Sequence, residues 1–449
     1  MSFAAEPLRR YDADITPARV FVHVATATLI GVGMGVALYR YPLSWQAVLA
    51  GGFGLLGVLA LALARYDAAV GLGFLLFGVV AVEPAPPDAV FAVVMALALV
   101  TGRFRLDRVP LAVGGLLGAF LFLNVLSAIE AVEPAEAARF FAITFYLAVF
   151  AVWFTGYLDS TRRARMVARL YIIGAVLFAL LASAALFVPF PGSDLLGAYD
   201  NTRAKGLFKD PNVFGPFLVP AALILIEELL RPRLFTWPRT LKIAMLATLG
   251  AGLVFSYGRG AWLNFAVGLL TLLVILSLRR GGARDAVAAL VVALVVGVAA
   301  AGAVAFTGSS DLLQERAQLQ RYDTLRFSAQ RTGAELGQRY PVGIGPGQFD
   351  VVAPVSTHST YIRTLAEQGV LGLATFAALI LTTLLLAARN VALGRDTYGI
   401  GSAALAAAWL GLVANSFFVD TLHWRHLWLV AALIWIGAMR PSGGRAATS

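Results

Sequence analysis

Cysteine is absent from the 449 residues. That excludes disulfides, thiol nucleophiles and thiolate-held metals. Charge is scarce as well: 13% of residues are charged and 59% are hydrophobic, too few polar groups to cover a water-facing protein of this size. Lysine occurs only at 205, 209 and 242, so the net charge of +10 is almost all arginine. The arginines are scattered among loops, which points to topology and away from nucleic acid. There is no HExxH, and the acidic residues of the outer loops are dispersed, so no metal site and no cofactor is expected. The opening "MSFAAEPLRRYDADITPAR" is a polar lead with no cleavage site behind a short apolar core, and the first span is expected to remain as an anchor.

Long apolar runs fill the rest. Each is continuous and not alternating, and is about long enough to cross a ~30 Å bilayer core as a helix. The expected fold is all-α: a polytopic integral membrane helical bundle of about 12–14 transmembrane helices. The spans are placed near 20–39, 45–64, 66–82, 88–101, 109–129, 137–158, 166–189, 213–230, 241–257, 261–278, 285–306, 370–388, 397–419 and 426–439. The third and fourth are short enough to form one re-entrant pair. With the N-terminus inside, alternate turns collect arginine, as at Arg103, Arg162, Arg231, Arg279 and Arg389. The opposite turns carry Glu83, Asp88, Glu130, Glu133 and Glu136. This positive-inside pattern puts both termini on the cytoplasmic side. The reading divides the chain into an N-terminal transmembrane bundle, 1–189, and a second region, 190–449.

Two outer loops are long and polar, 190–212 and 307–357. The second reads as amphipathic helices, with Leu312, Leu313, Leu319, Leu325 and Phe327 against Arg316, Arg321, Arg326, Arg331 and Arg339, followed by a glycine-rich turn. Such a segment lies on a membrane surface or covers a cavity. Arg259 sits in a tight hairpin tip, "SYGRGAWLNF", between Gly258 and Gly260. It either snorkels to lipid headgroups or grips an anion with its planar donors. Arg203, Lys205 and Lys209 form a second cationic cluster, followed by Asp210-Pro211-Asn212, a helix start with Asp210 as cap. His358 stands in "VSTHSTYIRTLAEQGVLG", before a short amphipathic helix that ends near Gly369. It either satisfies backbone groups at that helix start or moves a proton. His423 and Arg425, in "DTLHWRHLW", fall on the same side and either contact substrate or anchor a turn.

Three motifs in order, "RAKGLFKDPNVFGPFL", "SYGRGAWL" and "GIGPGQF…HSTYIRTLAEQGVLG", resemble the bacterial O-antigen ligase and exopolysaccharide polymerase family over roughly residues 195–390. The resemblance implies an inner-membrane enzyme with its active site in the periplasm. It implies a donor glycan on undecaprenyl diphosphate and, as acceptor, lipid A-core for a ligase or a lipid-linked glycan for a polymerase. By the same resemblance Arg203 and Arg259, with Lys205 beside them, hold the diphosphate, and His358 is the base. Ser359, Tyr361, His423 and Arg425 are candidate acceptor or loop contacts. Family members often follow the histidine with Asn, where this chain has Ser359. The implied reaction is metal-independent and inverting. Two other readings stand beside it: a lipid-linked glycan transporter or flippase, and a peptidoglycan-type glycan polymerase.

Overall fold

The computed structural model describes residues 45–198, 202–279, 282–306 and 321–439. The span expected at 20–39, and Leu312, Leu313, Arg316 and Leu319 of the long loop, lie outside them. The architecture is all-α with one two-residue ribbon. Each span expected from residue 45 onward coincides with a helix. The helices are α1 (Trp45–Ala64), α2 (Tyr66–Leu75), α3 (Pro86–Val100), α4 (Leu111–Ser127), α5 (Pro134–Tyr157) and α6 (Thr161–Ala185). After the ribbon β1 (Gly197–Ala198) and β2 (Arg203–Ala204) come α7 (Pro211–Leu230), α8 (Arg239–Phe255), α9 (Arg259–Leu278) and α10 (Ala283–Phe306). The chain continues with α11 (Arg321–Arg339), α12 (Phe349–Val352), α13 (Thr360–Ala392), α14 (Ser402–Asn415) and α15 (Arg425–Met439). Among the described residues six helices, α4, α5, α6, α7, α9 and α13, are long and apolar enough to cross a membrane. The protein is a polytopic membrane protein.

The described residues form two compact units, one of those up to Val70 with Ala89–Phe104, the other of Gly71–Asp88 with those from Arg105 onward. The boundary expected at residue 189 falls inside the second. In the first, the Tyr66 hydroxyl donates to the Val94 carbonyl at 2.8 Å. The second unit holds every candidate site residue.

Helix α7 is its axis. Asp210 caps it, accepting from the Asn212 N–H at 2.6 Å, and Pro211 opens the first turn, the chemistry a helix N-terminus favours. Its nearly unbroken apolar sequence is buried on all sides, and α6, α8, α9 and α14 pack around it. At its far end Glu228 accepts from the N–H groups of Arg233, Leu234 and Phe235 and faces the buried Lys242. Glu227 accepts from the Ala404 N–H at 2.7 Å and so caps α14 from α7.

Helices α9 and α14 approach most closely. A Cβ on Gly260 would lie 2.6 Å from the Asn415 Oδ1, and one on Gly411 would lie 2.4 Å from the Asn264 Oδ1. Each helix thus offers a glycine and, four residues on, an asparagine, and each asparagine seats on the other helix's glycine.

Helix α13 is broken at Gly369, whose φ of 70° belongs to the left-handed region. A break leaves carbonyls without their usual donors. Here the Ile344 N–H donates to the Ala366 carbonyl and the Gly345 N–H to the Glu367 carbonyl, both at 3.0 Å. The Val370 N–H reaches the Pro341 carbonyl at 3.2 Å. The glycine-rich turn and the helix break are therefore one unit. A Cβ at Gly343 would stand 2.2 Å from the Glu367 carbonyl oxygen, and one at Gly369 2.0 Å from that of Pro341.

Candidate active site

Arg203, on β2, is 3% exposed. Its Nε donates to the Ser256 carbonyl at 2.9 Å and its Nη2 to the Asn212 Oδ1 at 3.2 Å. It thereby fastens the 190–212 loop to the α8–α9 tip. Tyr257 in that tip is left-handed, with φ of 46°. Two residues further on, Arg259 opens α9. Its Nη2 meets the Asp323 Oδ1 of α11 at 2.5 Å, and Asp323 is itself nearly buried. Lys205 is half-buried beside Arg203. Lys209 pairs instead with Glu83, and that lysine is the main reason the Glu83 carboxyl titrates below the ordinary range.

His358 is held in the left-handed region, φ 47°, immediately before the α13 cap. A non-glycine residue there costs about 1–3 kcal/mol, which a fold tolerates mostly where a side chain must be aimed. Ser359 is the cap, accepting from the Ile362 N–H, and it is buried. Burial lowers the His358 pKa, and the charge of Arg326 lowers it next, with Arg363 adding to it; Asp210 and Asp350 oppose. The shift favours the neutral imidazole, the form a base requires. Asp210 precedes α7, so the first and third sequence motifs meet at this histidine.

The turn that follows α14 fixes the spacing of these groups. The Thr360 N–H donates to the Ser416 carbonyl at 2.9 Å, and the Thr421 N–H to the Thr360 Oγ1 at 2.7 Å. A Cβ on Gly260 would stand 3.2 Å from the Val419 side chain. The helix that starts at Arg259 and the helix that starts beside His358 therefore rest on the same turn.

Arg363, one turn into α13, is the hub that the sequence reading missed. Its Nη2 donates to both Asp350 oxygens at 2.9 and 2.8 Å and to the Ser356 Oγ at 2.6 Å. Its Nη1 reaches the Glu367 Oε1 at 3.0 Å and its Nε the Asp420 Oδ2 at 2.7 Å. Glu367 also accepts the Gly347 and Phe349 N–H groups, at 2.8 and 3.2 Å. Gly347 and Phe349 of "GIGPGQF" thus serve a carboxylate of this chain. The available signal was an arginine and a glutamate four residues apart at the mouth of an apolar run.

The remaining candidates have packing partners. The Tyr361 hydroxyl donates to the Val413 carbonyl at 3.1 Å, and its ring lies against Phe417. The His423 Nε2 is 2.9 Å from the Thr144 Oγ1, and its ring packs on Phe140, 4.1 Å between centroids. Arg425 forms a two-pronged pair with Asp88, Nε to Oδ1 at 2.7 Å. Both side chains are committed to α5 or to the start of α3, and the structure does not bring them to Arg259.

Burial pushes the His423 pKa down to about 4. An unfolded histidine titrates near 6.5. As pH falls from about 6.5 to about 4 the unfolded chain takes up a proton that the folded chain refuses. The stability present above that window is lost within it, by at most about 3 kcal/mol. Thermal unfolding of the purified protein at pH 7.5 and 4.5 should show this loss, and a His423→Gln variant should show a smaller one. An equal pH dependence in the variant would refute the assignment.

Comparison with known proteins meets this geometry at one segment. Residues 244–377 match the O-antigen ligase family. No curated protein matches the chain. The matched segment contains Arg259, Asp323, all of α11, the glycine-rich turn, His358 and the Arg363 hub. Arg203 and Lys205 lie before it and join it through the bond from Arg203 to the Ser256 carbonyl. A glycosyl-transferring enzyme is what that family's description implies.

Proposed function

We propose that the protein transfers a glycan from undecaprenyl diphosphate to an acceptor hydroxyl at the periplasmic face of the bacterial inner membrane. The acceptor is lipid A-core or a further lipid-linked repeat unit. The observation that carries this reading is an apolar cavity of about 230 Å³ between α7, α8, α9 and α10. Leu253, Val254 and Trp262 line it, and these residues flank the Ser256–Arg259 tip. An apolar slot close to the arginine at the start of α9 suits a phosphate joined to a polyprenyl chain.

The chemistry follows from the groups at hand. His358 takes the proton of the acceptor hydroxyl as that oxygen bonds to the anomeric carbon of the donor. The bond from that carbon to the phosphate oxygen breaks, and its electron pair leaves with undecaprenyl diphosphate. Attack opposite the leaving group inverts the configuration. Arg259 meets the charge that grows on the leaving oxygen, with Lys205 near it, and Arg203 holds the tip in place. Protein cations take the part that a divalent ion plays elsewhere.

The test is transfer in proteoliposomes that hold the purified protein and an undecaprenyl-diphosphate-linked repeat unit, with lipid A-core or excess donor as acceptor. One undecaprenyl diphosphate should be released per glycosidic bond formed, and EDTA should leave the rate unchanged. Product with one acceptor and not the other separates ligase from polymerase. Movement of donor across the bilayer with no new bond would overturn the reading in favour of a transporter.

A further inference from the structure

Helix α11 crosses the site from Arg259 to the shoulder of His358. Asp323, Ala329, Gly333 and Gly337 are buried and Arg326, Gln330, Ala334 and Leu336 partly so, while Thr324, Leu325, Phe327, Ser328 and Arg331 are exposed. That spacing of three and four is one helical stripe. At the near end Asp323 holds Arg259. At the far end Gly333 lies on Ile362 and Thr357, where a Cβ would stand 2.6 Å from Ile362 and 3.4 Å from Thr357. Gly337 packs as closely on Leu365. Arg326 therefore lies on the stretch of α11 that bridges the two ends, about 4.5 Å along the axis from Asp323.

Resting on the donor reading above, we propose that Arg326 is a third cation for the donor diphosphate, and that Asp323 occupies Arg259 in the phosphate's place until donor arrives. A diphosphate diester brings two negative charges, and Arg259, with Lys205 near it, is the cation set at the start of α9. A carboxylate at 2.5 Å cancels the charge of Arg259. Incoming phosphate competes for the same guanidinium and repels the carboxylate. The helix that carries Asp323 then moves with it, and Arg326, one turn further on, is the cation best placed to follow the phosphate. The same guanidinium helps to keep His358 neutral, alongside Arg363 of α13 and against Asp350 of α12 and Asp210 before α7.

The two residues must act with opposite sign. Binding of undecaprenyl diphosphate to the full-length protein in nanodiscs should weaken about tenfold or more in Arg326→Ala. Arg326→Lys should recover part of it, and Asp323→Asn should tighten binding. In turnover, Arg326→Ala should raise the donor KM more than it lowers kcat, and its acid limb should move to higher pH as the His358 pKa rises. A purely structural role predicts loss in both variants and no shift of the limb. If the wild type binds and Arg326→Ala binds equally well, the assignment of Arg326 is overturned while the donor reading stands. If Asp323→Asn weakens binding, the placeholder role is overturned. Wild-type protein that binds undecaprenyl diphosphate no better than undecaprenol overturns the donor reading itself. Should Arg326→Ala fail to fold, the opposed effects of Arg326→Lys and Asp323→Asn carry the test.

Discussion

Replacing His358 by Ala is expected to reduce glycan transfer by about 10²–10⁴-fold, the usual contribution of a positioned base, with no change in the amount of protein in the membrane. The residue is half-buried and lies outside the hydrogen-bonded hub around Arg363, so its loss removes chemistry and not the fold. The pH profile gives a second readout. A base works when unprotonated, and the His358 pKa lies below its ordinary value. Wild-type activity should therefore hold through neutrality and fall only as pH drops well under about 6.5. The residual activity of His358→Ala should lack that limb. Transfer near the wild-type rate would remove the histidine from the mechanism. Donor binding that survives the substitution would agree with a role toward the acceptor and not toward the diphosphate.

Arg363→Met should be the most destabilising single change at this end of the bundle. Arg363 is surrounded by Asp350, Glu367 and Asp420, and the Glu367 side chain is 0% exposed. Removing one partner of a buried ion pair typically costs about 3–5 kcal/mol, because the other charge stays behind. Glu367 is also what the Gly347 and Phe349 N–H groups donate to, so the loss should spread into the glycine-rich turn. A lower unfolding temperature and reduced yield are the direct measures. The double variant Arg363→Met with Glu367→Gln should be less destabilised than the sum of the two single changes. Additive effects would mean that the two groups hold the fold independently.

The sequence was a good guide where local rules decide the outcome. Apolar runs gave the helices, Asp210-Pro211-Asn212 gave the start of α7, and Gly369 marked the end of the short helix after His358. It gave no guide to pairing. Asp323 and Arg259 are 64 residues apart, and Arg425 and Asp88 are 337 apart. Nothing in the periodicity of either segment names the other. The same holds for His423, whose partners Thr144 and Phe140 lie on α5. Arg259, Arg363 and Arg425 have each found a carboxylate, and which one each finds is set by how the helices pack. The glycine-rich turn pairs across the chain in the same way: Gly343 closes on the Glu367 carbonyl at the break of α13.

The mutual seating of Asn264 on Gly411 and Asn415 on Gly260 has a consequence for the lipid around the protein. Sliding α9 by one turn along α14 would push an asparagine onto a bulkier neighbour, so the two helices have a single register. Bilayers of different thickness normally act on a bundle by tilting or shifting its helices. Here such a load cannot change the height of Arg259 relative to the turn that carries the start of α13, because both ends of that measure belong to the locked pair. The reacting groups would keep their mutual depth while the rest of the bundle adapts, and turnover should depend little on acyl chain length across membranes that still admit the donor.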